Sequence, residues 1–348
     1  MLKLYNEAGY VDIPSIAATG YPFIWIVGGR GTGKTYNGIG YITSPERRGQ
    51  FFFLRRTLKE TELVSNAMVS PFAKYGRDHN MIFCHEKVVG DVGGVYHGVE
   101  SDGRIIPDGD LLGYTGALST LANIRGFDGD LVTTLFFDEF VKEPHIKPIK
   151  DEAGAFFQVY ETINRNREFE GRPPLQSIAC SNSFEMANPY FVKLGFVDRA
   201  ERMRETGKEV YFDTARGHLL IVLSKSEISA KKAESALYKA TQGTDFADVA
   251  LSNKFGDRSN FGQAKSKNLR GMAPICFVGE LAVYADRSTR RLYVSGHRTG
   301  AAPEYGNNTT DIQRFRQIHG AYIWRAYILN QIDFERISHE IVLRNYLK

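Results

Sequence analysis

The chain has 348 residues, 43% apolar and 24% charged, with 44 Lys and Arg against 40 Asp and Glu for a formal net charge of +4. That length predicts two domains, each able to bury its own core, and the composition is that expected of an ordinary soluble protein. No apolar run approaches the roughly twenty residues that a membrane span needs, and the first seven residues lack a signal-peptide core, so no membrane partner and a cytoplasmic location are expected.

Cys84, Cys180 and Cys276 are odd in number and widely spaced, which fits neither a disulfide framework nor a zinc site; they are read as reduced and structural. The charge divides unevenly: residues 246–348 carry +6, residues 227–245 balance, and residues 1–226 carry −2. A basic C-terminal third beside a near-neutral remainder fits a polyanionic partner, and also an ordinary solvated surface.

Phe23-Ile24-Trp25-Ile26-Val27 reads as a buried strand, and Gly28-Gly29-Arg30-Gly31-Thr32-Gly33-Lys34-Thr35 after it matches the P-loop pattern at every fixed position. Gly28, Gly31 and Gly33 are expected to let the backbone turn its N–H groups around an anion, which then sits on a helix N-terminus. Lys34 is placed to reach the β- and γ-phosphates of a nucleoside triphosphate, and the Thr35 hydroxyl to ligate Mg²⁺.

A helix over Tyr36 to Thr43 stops at Ser44-Pro45, and Gln50-Phe51-Phe52-Phe53-Leu54 is a second buried strand closed by Arg55-Arg56. That arginine pair faces phosphate, a neighbouring subunit or solvent. Residues 58–75 read as a helix broken by Pro71. The glycine-rich stretch from Met81 to Leu112, with short β-type runs, reads as a hairpin insertion.

Leu131-Val132-Thr133-Thr134-Leu135-Phe136-Phe137-Asp138-Glu139 is a hydrophobic strand ending in two acids. Asp138 is expected in the Mg²⁺ shell, and Glu139 to polarise the water that attacks the γ-phosphate. The run Ala155 to Glu168 is helix-compatible, buries aromatics at one end and exposes arginines at the other. Arg165 is a candidate arginine finger for a neighbouring subunit, although helix-end arginines also complement the macrodipole. Gln176 to Asn182 is a further strand delivering Ser181-Asn182, with Asn182 a candidate γ-phosphate sensor, and Leu219 to Leu223 one more. The array of strands and helices predicts an α/β sandwich of the P-loop ASCE type, with the Ser-Asn strand between the P-loop strand and the Asp-Glu strand.

In order and spacing, Gly29 to Thr35, Leu54-Arg55-Arg56, Phe137-Asp138-Glu139-Phe140, Arg165-Asn166-Arg167-Glu168, Ser181-Asn182 and Asn188-Pro189-Tyr190-Phe191 resemble the encapsidation ATPases of small tailed bacteriophages that replicate by protein priming. The likeness is specific over residues 20–225 and weaker beyond. It implies a homopentameric ring at the portal vertex of a prohead, pumping double-stranded DNA inward with ATP and Mg²⁺ in the host cytoplasm, and leaves open whether a structural packaging RNA lies between ring and portal. Arg165 then matches the family's trans-acting arginine. Arg125 falls where the family carries a trans-acting lysine; it keeps the charge but not the point-like ammonium.

Residues 227–245 read as a helical linker, and Ser252 to Gly271, with Lys254, Arg258, Lys265, Lys267 and Arg270, as a mobile basic loop. Strands from Ile275 to Tyr284 and over Arg291 to Val294 pair around Asp286 to Thr289, and two helices, Thr310 to Asn330 and Phe334 to Leu347, close the chain. The expected domains are therefore 1–226 (ATPase), 227–245 (linker) and 246–348. The resemblance implies that the last is a small α+β RNase H-like domain related to packaging nucleases. A two-metal nuclease needs clustered carboxylates, and Glu280 with Asp286 is too sparse a set, so no nuclease activity is expected. Three functional readings remain: a DNA-translocating ring ATPase, a P-loop phosphotransferase acting on a small acceptor, and an ATP-gated prohead-binding module. Glu139 favours the first over the second, because a kinase's acceptor hydroxyl needs no water-activating acid.

Overall fold

The architecture comes from a computed structural model that describes every residue except 1, 67, 122–125, 144–145, 183–185, 225–227, 229–230, 232–233 and 245–266. The chain forms two compact units: Met1–Phe184 with Gly207–Phe255, and Glu185–Thr206 with Gly256–Lys348.

The first unit is built on a nine-stranded sheet of β1 (Phe23–Gly28), β2 (Gln50–Arg55), β3 (Phe83–Val89), β4 (Val92–Ser101), β5 (Arg104–Ala117), β6 (Val132–Asp138), β7 (Gln176–Asn182), β8 (Val210–Asp213) and β9 (His218–Leu223). The strand order is β3-β4-β5-β2-β6-β7-β1-β9-β8. From β5 to β9 neighbours are parallel. Strands covered on both faces must be apolar almost throughout, and Phe51 to Leu54, Leu135 to Phe137 and Leu219 to Leu223 are all buried. The Ser-Asn strand β7 lies between β1 and β6, as the sequence predicts. The fold is therefore the P-loop ASCE type.

Three elements differ from expectation. The segment after Met81 is longer and more regular than a hairpin: β3, β4 and β5 pair antiparallel, and β5 then joins the core by running parallel to β2. The helix expected over 58–75 is two helices. Leu58–Val64 starts on a Thr57/Glu60 capping box, and Pro71–His79 starts on Ser70, with Pro71 in the first turn where its missing N–H costs nothing. The arginine-bearing helix spans Glu152–Asn164 and stops when Arg165 takes a left-handed φ of 46°.

In the second unit a five-stranded mixed sheet has the order β13-β10-β11-β12-β14, from β10 (Met272–Val278), β11 (Leu281–Asp286), β12 (Leu292–Ser295), β13 (Glu304–Tyr305) and β14 (Ile332–Phe334). The span expected as strand from Ile275 to Tyr284 is two strands, β10 and β11, paired antiparallel across a turn at Gly279-Glu280, and β11 pairs antiparallel with β12 around Asp286. The first terminal helix consists of Thr309–Phe315 and Ala321–Ile328, joined through a π-helical turn at Arg316–Gly320. The short strand β14 precedes the last helix, Ile337–Leu347.

Helices Pro189–Leu194 and Val197–Thr206, expected with the first domain, belong to the second unit. The reason is electrostatic and local. Arg336 sits 3.1 Å from Asp198 and 3.5 Å from Glu201, pairs with Glu205 as well, and the Ser338 N–H donates to Glu201. Because these helices lie in sequence between two strands of the first sheet, chain order hides where they pack. Of the expected linker, Ala236–Ala240 is helical; most of the basic segment 252–271 lies outside the described residues. The three cysteines are free and buried, as expected.

Candidate functional site

β1 ends at Gly28, where an added Cβ would collide with Leu223, so this glycine serves close strand packing rather than a left-handed turn. The turning is done at Gly31 and Gly33, with φ of 75° and 83°, and Gly33 caps the helix Lys34–Ile42. That helix presses directly on the sheet: a Cβ on Gly38 would enter the Phe136 ring. The loop is therefore fixed between a strand end and a helix start, the arrangement that gathers backbone N–H groups and the helix dipole on an anion.

A cleft of about 390 Å³ opens over this loop, lined by Arg30, Gly31, Gly33, Lys34, Thr35, Tyr36, Asp138, Glu139, Glu143, Ser181 and Asn182. Six of these eleven residues come from Arg30 to Tyr36, and the rest arrive on β6, β7 and the segment after β6. Lys34 is buried, with its ammonium donating to the Gly28 and Gly29 carbonyls at 3.2 and 2.8 Å, to Thr32 at 3.2 Å and to Asn182 at 3.4 Å. The Thr35 hydroxyl donates to the Asp138 carboxylate, 2.9 and 3.0 Å from its two oxygens. β7 brings Asn182 level with Gly28 and Cys180 level with Asp138, which aligns the tips of the three strands. Ser181 is occupied structurally: its hydroxyl accepts from the Val141 N–H at 3.1 Å.

Glu139 follows Asp138 with a left-handed φ of 58°, an uncommon backbone for a residue with a Cβ. Burial raises its carboxyl above the ordinary value, and Arg55 opposes that rise. The sequence left both members of the arginine pair open, and they have separate places. Arg55 bridges the two acids, 2.9 Å from Asp138 and 3.4 Å from Glu139. Arg56 points the other way, fully buried, in a bidentate pair with Glu152 at 2.5 and 2.8 Å. Arg30 pairs with Glu143, whose place in the cleft the sequence did not signal.

Arg165 is exposed, donates to the Phe127 carbonyl and does not line the cleft of its own chain. Its neighbour Arg167 is buried and donates to the carbonyls of Gly129, Asp130 and Val132, a purely structural use. Arg125 lies outside the described residues.

Among the described residues no three His, Cys, Asp or Glu side chains gather as a metal cage. Mg²⁺ does not need one, because it is usually held by one or two protein oxygens together with substrate phosphates. Thr35 and Asp138, in contact beside the loop, fit that demand. In the second unit Glu280 and Asp286 flank opposite ends of β11 and do not converge. Glu280 is shut in, and Asp286 holds its own turn by accepting from Ser288 and Thr289.

Fold and site together define a P-loop ASCE-type nucleotide-binding protein. The podovirus DNA encapsidation protein (Gp16) family model matches residues 19–314, and the chain belongs to that family. It is 26% identical over 294 residues to the DNA packaging protein of Bacillus phage phi29, covering 83% of this chain and 79% of the relative. To the DNA packaging protein of Bacillus phage B103 it is 27% identical over 281 residues, covering 78% and 76%. Among solved structures, a chain of the phi-29 viral genome packaging motor assembly aligns over 99% of this chain and 100% of its own length, with a TM-score of 0.60 and 20% identity. The Phi-28 gp11 DNA packaging motor aligns over 98% of both chains with a TM-score of 0.57 and 16% identity, and both likenesses speak to the fold. Among the described residues, no helix is long and apolar enough to cross a membrane.

Proposed function

We propose that this chain is the ATPase subunit of a phage DNA-packaging motor, hydrolysing ATP with Mg²⁺ to drive double-stranded DNA into a preformed prohead from a ring at its portal vertex. The observation that carries the reading is the convergence of Lys34, Thr35, Asp138, Glu139 and Asn182 on one cleft, in a chain of the DNA encapsidation family. Lys34, already turned onto the loop, neutralises phosphate charge. The backbone from Gly28 to Thr35, including Arg30 and Thr32, cradles the phosphates, and Thr35 and Asp138 would hold Mg²⁺, which when bound would supply neutralisation of phosphate charge. Glu139 accepts the proton of the attacking water, and Asn182, hydrogen-bonded to Lys34, reads whether the γ-phosphate is present.

Arg165 and Arg125 serve a neighbouring subunit's nucleotide in a homopentamer. The placement of Arg165 outside its own cleft supports this for that residue. The second unit is a vestigial, RNase H-like nuclease without cleavage activity, which binds the prohead, its DNA or a packaging RNA, and the motor works in the host cytoplasm, transiently attached to the prohead. The separation of Glu280 from Asp286 supports the loss of nuclease chemistry. The test is ATP turnover with and without proheads and DNA. A motor turns over faster when both are present, whereas turnover indifferent to them returns the chain to an ATP-gated binding module.

A further inference from the structure

We infer that Tyr36 is the residue on which the base of the bound nucleotide stacks, its ring forming an aromatic wall of the cleft. The inference rests on the reading of the cleft as a nucleoside triphosphate site. Lys34 meets the β- and γ-phosphates and the loop cradles the α and β, so the sugar and base leave from the α-phosphate, past the first turn of the helix Lys34–Ile42. Tyr36 stands in that turn, half-buried, and among the described residues that line the cleft it is the aromatic one.

One face of that helix is shaped for rings. Gly33, Tyr36 and Gly40 recur at spacings of three and four, which places them on the same side. A Cβ on Gly33 would stand 3.0 Å from the Tyr10 ring and a Cβ on Gly40 would stand 2.9 Å from the Tyr75 ring, so each glycine admits an aromatic side chain close against the backbone. Tyr75 in turn braces Tyr36, with ring centroids 5.1 Å apart, and stacks on His79 at 4.2 Å. The Tyr36 hydroxyl donates to Asp78 at 2.9 Å, and Asp78 also accepts from Lys74 at 2.6 Å. Burial, with Asp78 adding to it, pushes the Tyr36 phenol up to about 12, so the ring stays neutral beside the phosphates. A neutral ring already fixed at its hydroxyl and along its side offers a planar ligand a face with little left to order. The planar part of a nucleoside triphosphate is its base, and stacking on an aromatic side chain uses the π-face that every base has.

Isothermal titration calorimetry in Mg²⁺ measures the affinity of ATP and of inorganic tripolyphosphate, which carries the phosphates without a base, for the wild-type chain, Tyr36→Leu and Tyr36→Phe. Tyr36→Leu keeps apolar bulk on the helix but loses the ring; it is expected to weaken ATP on the order of 10-fold, inside the range that base–aromatic stacking spans, and to shift tripolyphosphate less than about 3-fold. Tyr36→Phe stays within about 3-fold of wild type for both ligands, because the ring remains, an exposed hydrogen bond contributes little and Asp78 keeps Lys74 as its partner. An ATP affinity unmoved by Tyr36→Leu, an equal loss of both ligands, or a loss of ATP with Tyr36→Phe as large as with Tyr36→Leu each overturns the inference. A wild-type chain that binds neither ligand defeats the reading of the cleft itself, a separate outcome.

Discussion

The Thr35 hydroxyl and the Asp138 carboxylate are in direct hydrogen-bond contact, 2.9 and 3.0 Å, although 103 positions separate them in the chain. One stands in the first turn of the helix after β1 and the other at the tip of β6, and β7 between those strands sets the spacing. A hydroxyl and a carboxylate held together beside a phosphate loop are a hard-oxygen pair suited to Mg²⁺.

Lys34→Ala and Glu139→Gln are expected to fail differently. Removing the ammonium deletes the charge that meets the phosphates, so Lys34→Ala weakens ATP binding. Glutamine keeps the shape of Glu139 but cannot take a proton, so Glu139→Gln binds ATP and stalls. A fluorescent ATP analogue measures the first step and phosphate release the second; normal release by Glu139→Gln at saturating ATP removes Glu139 as the base.

Arg165→Ala is expected to bind ATP nearly as wild type does and to lose turnover by a factor on the order of 10³ or more, the scale of an arginine finger. Mixed with Glu139→Gln subunits, it regains activity at interfaces that pair an intact Arg165 with an intact Glu139. No recovery on mixing assigns Arg165 to its own chain, where its guanidinium already donates to the Phe127 carbonyl.

Arg56 and Glu152 form a buried pair, so removing one partner strands the other. Arg56→Ala is expected to cost roughly 3–5 kcal/mol of stability, whereas replacing both by apolar residues of similar volume recovers most of it. Urea unfolding followed by tryptophan fluorescence measures both, through the buried Trp25 of the same unit. A single-variant cost below about 1 kcal/mol contradicts the burial.

Glu280 gives the second unit a pH dependence with a definite sign. Burial, with the Asp198 charge adding to it, pushes its carboxyl up from 4.5 to about 7. A folded-state value above the unfolded one means stability that is complete below about pH 4.5 and lost as pH rises towards 7, on the order of 3 kcal/mol for this one group. Glu280→Gln, neutral at every pH, should therefore raise the melting temperature relative to wild type at pH 8 and not at pH 4.5. An equal effect at both values contradicts the shift.

What the sequence made legible and what it hid follow from how local each feature is. The P-loop and the Asp-Glu strand announce themselves because strand, turn and candidate catalytic residue are contiguous, and the place of β7 between β1 and β6 follows from the class of fold they define. The different uses of Arg55 and Arg56 were not legible: both follow one apolar run, and which faces the acids depends on β2 lying beside β6, a fact of sheet order. Glu143 and Glu152 were missed for the same reason, since their partners stand 113 and 96 positions away. The place of the helices Pro189–Leu194 and Val197–Thr206 in the second unit was not legible either, because the carboxylates of the latter helix meet Arg336 only in three dimensions.

The central claim, that ATP hydrolysed at this cleft drives DNA into a prohead, is tested most directly by protection of packaged DNA from nuclease. Proheads, DNA and ATP are combined with wild-type chain or with Glu139→Gln, and the protected DNA is measured alongside phosphate release. The expected result is protected DNA and rapid release with wild type, and neither with Glu139→Gln although it still binds ATP. DNA protected to the wild-type level by Glu139→Gln, or wild-type ATP turnover without any protected DNA, contradicts it.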